Sequence, residues 1–199
     1  CLNVRSDCGG YPGAVVTPGF FLAQTTLFAS HASVYGSGMP SLLIIYHSRT
    51  GGTRQMAEAA AQAAEHELET VLKPAPDATA QDLLAADGYI FAAPENLASM
   101  SGAMKEFFDQ AYYTVLGKIE GRPYAQMICA GSDGENAARQ IARIATGWRL
   151  KTVQPPIIVC THAQTEAQIL AEKVISSDDL ETCRDLGRAL AAGIALGVF

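Results

Sequence analysis

The chain has 199 residues, of which 49% are hydrophobic and 17% charged. That is a globular composition, with enough chain for one full core and too little for two ordinary domains. A net charge of -6 argues against a basic patch and against nucleic acid as a main partner, yet allows an anionic ligand held by backbone N–H groups.

Residues 1 to 38 are rich in Gly, Ser, Thr and Pro and lack periodicity. The first Met is Met39, directly before a strand pattern. Three readings compete. A secretory leader would use Phe20 to Ala29 as its apolar region, but only Arg5 supplies positive charge. The segment could instead be a functional arm, or sequence outside the native protein. The last is the expectation, with residues 1–38 disordered and the domain spanning 39–199.

Leu42 to Tyr46 is a continuous apolar run, as in a strand buried on both faces. Thr53 to His66 reads as a helix, with Met56, Ala60, Ala63 and Ala64 on one face. Thr70 to Leu72 is a short second strand, and Asp77 to Ala86 a short helix. Tyr89 to Ala93 is a third strand, stopped by Pro94. Ser101 to Leu116 is a helix with a stripe of Met104, Phe107, Phe108 and Ala111. Tyr124 to Ala130 is a fourth strand, and Glu135 to Thr146 a helix. Pro156 to Cys160 is a fifth strand. Asp178 to Leu196 closes the chain as a helix, capped by Ser177 or Asp178.

Such alternation predicts an α/β fold with a five-stranded parallel sheet in the order 2-1-3-4-5. Ligands of these sheets bind beyond the carboxyl ends of the strands, near the switch point. Three loops leave those ends: His47 to Thr53, Pro94 to Met100 and Gly131 to Glu135. In the first, Gly51 and Gly52 allow a tight turn, and Ser48, Thr50 and Thr53 carry hydroxyls. The loop enters a helix N-terminus, where unpaired N–H groups favour an anion. An ordinary capped strand-to-helix turn is the plainer alternative. The G-x-x-x-x-G-K-[ST] loop is absent, as is the G-x-G-x-x-G fingerprint. A phospho-accepting Asp is absent too, because Ala92, Ala93 and Pro94 end strand three.

Tyr46-His47-Ser48-Arg49-Thr50-Gly51-Gly52-Thr53 resembles the [ST]-x-[ST]-G-x-T phosphate fingerprint of flavodoxin-like proteins. Pro94-Glu95-Asn96 and the run Met100 to Asp109 resemble the second flavin loop and following helix of the FMN-dependent NAD(P)H:quinone oxidoreductase and FMN reductase branch. The resemblance covers Met39 to Phe199 and implies a flavodoxin-like three-layer sandwich with FMN as cofactor. It further implies that Ser48, Arg49, Thr50, Gly51, Gly52 and Thr53 hold the FMN phosphate. Pro94, Glu95, Asn96 and Leu97 would line the isoalloxazine, and Gly131, Ser132, Asp133 and Gly134 would close the third side. Met100 caps the ring in one reading and joins the core in the other.

The implied activity is transfer of electrons from NAD(P)H to a quinone, a flavin or another small acceptor. No protein acid–base pair and no metal are required, because the cofactor carries the chemistry. Second and third loops without aromatic residues depart from single-electron flavodoxins, so a pure carrier is the alternative. A domain that has lost flavin and serves as a binding module is a third, weaker one. The quinone reductases of the superfamily are oligomeric, which leaves a homodimer open, and carry longer insertions than this chain.

The five cysteines show no C-x-x-C spacing. Cys129 and Cys160 lie in apolar runs and read as buried free thiols, in keeping with a reducing cytoplasm. No run approaches the ~18 apolar residues of a membrane span. His47 and His162 lie near the expected site, and structural roles compete for both. Asp109 reads as a capping or pairing residue, Trp148 as a packing or subunit contact, and Tyr112 and Tyr113 as packing at an interface. The charges from Asp178 to Arg188 read as a solvated helix face.

Overall fold

A computed structural model describes residues 39–199; the expectation for residues 1 to 38 lies outside the described residues. The strands are β1 (Ser41–Tyr46), β2 (Glu69–Pro74), β3 (Gly88–Asn96), β4 (Ser99–Met100), β5 (Pro123–Ala130), β6 (Lys151–Thr152) and β7 (Ile157–Cys160). The helices are α1 (Gly52–Ala64), α2 (Ala80–Ala85), α3 (Gly102–Val115), α4 (Glu135–Gly147), α5 (Glu166–Leu170) and α6 (Ser177–Ala195). The order across the sheet is β2-β1-β3-β5-β6, and β7 also pairs with β5. All pairs are parallel except β3 with β4. This is the expected 2-1-3-4-5 order, with the fifth strand in two pieces. β6 pairs with the start of β5 and β7 with its end. Pro155 and Pro156, which lack N–H donors, lie between them.

Alternation along β1 divides the core. Leu42 and Ile44 pack with Met56, Ala57 and Ala60 of α1 and Leu186 and Leu190 of α6. Leu43 and Ile45 pack with Leu83 of α2, Phe108 of α3 and Ile141 of α4. Helices thus cover both faces of the sheet, which explains why β1 is apolar at every interior position. Trp148 is fully buried and stacks on Tyr112, with centroids 5.7 Å apart. Its role is packing within the chain, while Tyr113 stays exposed.

Several boundaries differ from expectation. Pro94 does not stop β3, which runs on to Asn96 with Pro94 opposite Cys129. Residues two apart in a strand turn their backbone groups to the same side. His47 N–H donates to the Ala92 carbonyl at 3.0 Å, so the Pro94 nitrogen faces the side of β1, which has already ended at Tyr46. No ladder bond is lost there. The last helix is capped by Ser176, whose hydroxyl accepts from Asp179 N–H, and not by Ser177 or Asp178. Asp109 pairs with Lys105 one turn away, and Arg184 and Arg188 pair with acids on the exposed side of α6. Cys129 and Cys183 are buried free thiols, but Cys160 is only half-buried.

Candidate functional site

The loop between β1 and α1 presents a row of donors without protein partners. Gly51 adopts φ 85° at the helix N-cap, a left-handed conformation that suits glycine. Among the described residues, the backbone N–H groups of residues 48 to 53 donate to no protein acceptor. The Ser48 and Thr53 hydroxyls are buried and without a hydrogen-bond partner, although Thr53 lies against the Cys129 thiol. Buried donors left unsatisfied are costly, and an anion is the group that would satisfy them together. A bulkier loop would not fit: a Cβ on Gly52 would sit 2.7 Å from Cys129 Sγ and 3.2 Å from Lys173 Cβ.

The second loop is a two-residue hairpin. Glu95 pairs with Met100 and Asn96 with Ser99, leaving Leu97 and Ala98 at the turn with φ of 52° and 56°. Two successive left-handed residues are the signature of a type I′ turn, which normally takes Asn-Gly. Leu97 is fully exposed at its tip. Each non-glycine residue here costs about 1–2 kcal/mol. Replacing Leu97-Ala98 with Asn-Gly is therefore expected to stabilise the domain by about 1–2 kcal/mol and to raise Tm by roughly 2–8 °C in thermal unfolding.

Helix α4 holds this hairpin. Gln140 Oε1 accepts from Ser99 Oγ at 2.9 Å and from Met100 N–H at 3.0 Å. Asn136 donates to the Ala98 carbonyl. Glu95 Oε2 accepts the Gly134 N–H at 2.9 Å, at the positive end of α4, while its Oε1 is buried without a partner. Met100 is buried in the core and caps no cleft. Asn136 and Gln140 are four apart and share one helix face. No feature of the sequence alone marked them.

A cleft of about 430 Å³ lies over the carboxyl edge of the sheet, within the size range of cofactor sites. It brings together Ser48, Arg49, Thr50, Gly52 and Thr53 from the first loop, Pro94 to Leu97 from the second, and Gly131 and Ser132 from the third. Gly51 lines a neighbouring cleft instead. Asp133 and Gly134 do not line it: Asp133 is exposed, and Gly134 is buried where a Cβ would meet Ile158 Cγ2 at 2.6 Å.

A fourth wall escaped the sequence reading: Thr161, Ala163 and Gln164, then Ile169, Leu170 and Lys173 around α5. Helix α5 is short and buries no residue, so it has no apolar stripe to read. Its one signal is the capping box Thr165-x-x-Gln168, which the structure forms. The segment docks on the first loop by polar bonds. Lys173 N–H donates to the Thr50 carbonyl at 2.7 Å, and Gln55 Nε2 donates to the Lys173 carbonyl at 2.6 Å.

Burial, and secondarily the Arg49 guanidinium, hold the His47 imidazole below its ordinary range. Burial pushes the Cys129 thiol up, which makes it a poor nucleophile. Among the described residues no cluster of His, Cys, Asp or Glu is placed to hold a metal, and no helix is long and apolar enough to cross a membrane.

A doubly wound parallel sheet, a loop of unpaired backbone donors after its first strand and a cleft at its switch point define a nucleotide-binding protein of flavodoxin-like fold. The chain belongs to the NADPH-dependent FMN reductase family, whose model matches residues 40–165. Membership assigns it FMN, the cofactor that the sequence resemblance implied. It is 31% identical over 170 residues to a flavodoxin of Aquifex aeolicus (strain VF5), covering 80% of this chain and 90% of that one. Two of the solved structures that share the fold are flavodoxins. One is a flavodoxin from the domain Archaea, at TM-score 0.63 and 20% identity over 77% of this chain and 98% of that one. The other is a WrbA-like flavodoxin from Agrobacterium tumefaciens, at TM-score 0.62 and 22% identity over 79% and 98%.

Proposed function

We propose that the chain is an NAD(P)H-dependent flavoprotein oxidoreductase serving a quinone, a free flavin or another small acceptor in the cytoplasm. The carrying observation is the makeup of the cleft. Its larger apolar side chains are Pro94, Leu97, Ile169 and Leu170, with no aromatic ring among the described lining residues. A flavin face left without an aromatic cover is open to a nicotinamide or a flat acceptor. The family description, which names NADPH, supports the same reading.

Ser48 to Thr53 would hold the FMN phosphate through converging N–H groups and two hydroxyls. Pro94, Glu95, Asn96 and Leu97 would line the isoalloxazine, with Gly131 and Ser132 opposite and Asp133 and Gly134 completing that loop. Bound FMN supplies acceptance of a hydride from NAD(P)H and onward transfer of two electrons to the acceptor. The protein supplies position. Glu95 ties the second loop to the third through Gly134, and Gln140 fixes the hairpin against α4. A homodimer would cover the exposed Leu97, Ile169 and Leu170 and complete the acceptor pocket.

The second reading is a flavodoxin-type electron carrier, favoured by the Aquifex relative. Stopped-flow mixing of the FMN-loaded protein with NADH and with NADPH separates the two. Rapid bleaching of the oxidised flavin by one of them is expected. If neither reduces the flavin directly, the enzyme reading fails and the carrier stands.

A further inference from the structure

A second cleft, of about 480 Å³, opens on the other side of the first loop. It shares Ser48, Arg49, Thr50 and Leu170 with the flavin cleft. Its remaining wall is made by Tyr46, His47, Gly51, Arg54, Pro74, Pro76 and Glu172. The proposed flavin chemistry uses none of that wall beyond the phosphate loop.

The chemistry of this wall is mixed in a particular way. Arg49 makes no ion pair among the described residues, and Arg54 makes only long ones, 3.7 Å to Glu58 and 3.9 Å to Glu172. Against the single carboxylate on the wall, two guanidinium groups leave the cleft positive. Guanidinium groups bind phosphate in a fixed fork and stack on flat rings. His47 Nδ1 is buried without a partner. Tyr46, Pro74, Pro76 and Leu170 offer flat or apolar surface, and Glu172 offers acceptors for hydroxyl groups. Phosphate, ribose and a planar base together match that set.

We propose that this outer cleft binds an adenosine phosphate, the distal half of a dinucleotide. The inference rests on the first loop holding the flavin phosphate. Two molecules carry such a half. In a flavin adenine dinucleotide it is joined directly to the phosphate on the loop. In NADPH it would reach the outer cleft across Leu170 from a nicotinamide on the flavin.

Arg54 lines the outer cleft and not the flavin cleft, so Arg54→Ala separates the two. The full chain and this variant are compared for fold by thermal unfolding, then titrated with FMN, with FAD and, when FMN-loaded, with NADPH and ADP. The expected result is unchanged FMN affinity with about tenfold weaker binding of ADP and of one dinucleotide, and only partial recovery in Arg54→Lys, which keeps the charge and loses the fork. A loss for FAD assigns the cleft to a flavin dinucleotide; a loss for NADPH assigns it to the nicotinamide dinucleotide. Equal affinities of the two proteins for ADP, FAD and NADPH overturn the proposal, as does a parallel loss for FMN. Failure of the unaltered chain to bind FMN refutes the reading of the loop instead. ADP titrated into the flavin-free chain then decides the outer cleft alone, by whether Arg54→Ala weakens it.

Discussion

Thr50→Glu is expected to weaken FMN binding by roughly 10²- to 10³-fold. Thr50 stands in a loop whose N–H groups, from residue 48 to residue 53, have no protein acceptor among the described residues. A carboxylate placed there takes up those donors and repels a phosphate dianion. Hydrogen bonds to a charged group contribute about 1.5–3 kcal/mol each, so losing one or two gives an effect of that size. The fold is expected to survive, because Thr50 is half-buried and its structural bond, to Lys173 N–H, uses the carbonyl. Titration of flavin fluorescence measures the change, and Thr50→Ser is expected to stay near the unaltered protein. Equal FMN affinity in Thr50→Glu would place the phosphate elsewhere.

Gly187→Ala is expected to be the most damaging small substitution in the described domain. Gly187 lies where α6 crosses α1, and a Cβ there would sit 2.1 Å from the Ala60 carbonyl oxygen. That oxygen belongs to a helix backbone and cannot swing away as a side chain tip could. Overpacking a core costs about 1–3 kcal/mol, and a backbone clash belongs at the upper end. A loss of about 3 kcal/mol corresponds to a Tm lower by roughly 6–12 °C. Thermal unfolding followed by circular dichroism measures it. The Ala-rich face of α1, with Ala57, Ala60, Ala61 and Ala64 all buried, exists for the same close approach. A Tm within about 2 °C of the unaltered protein would mean that the two helices can separate at little cost.

Much of this architecture was legible because strands buried on both faces announce themselves. Leu42 to Ile45 and Tyr89 to Ala93 are uninterrupted apolar runs, and their alternation with helices leaves few topologies. The tight turn of the first loop was legible for a local reason, since Gly51 takes a left-handed φ and its neighbours are hydroxyl-bearing. What stayed hidden depends on tertiary partners. Pro94 reads as a strand end, yet the strand passes it because β1 has already stopped on that side. Leu97-Ala98 carries no turn signal, and the hairpin there is held by Asn136 and Gln140 of a helix some 40 positions later. Helix α5 buries nothing, so periodicity has nothing to report. Yet its last residue, Leu170, borders both clefts.

FMN is expected to lie in the 430 Å³ cleft with its phosphate on residues 48 to 53. The most direct measurement is the visible spectrum of the purified full chain, before and after incubation with FMN and removal of free flavin. The expected result is a retained flavin spectrum at one FMN per chain, lost in Thr50→Glu. A colourless protein that retains no FMN after reconstitution would contradict it.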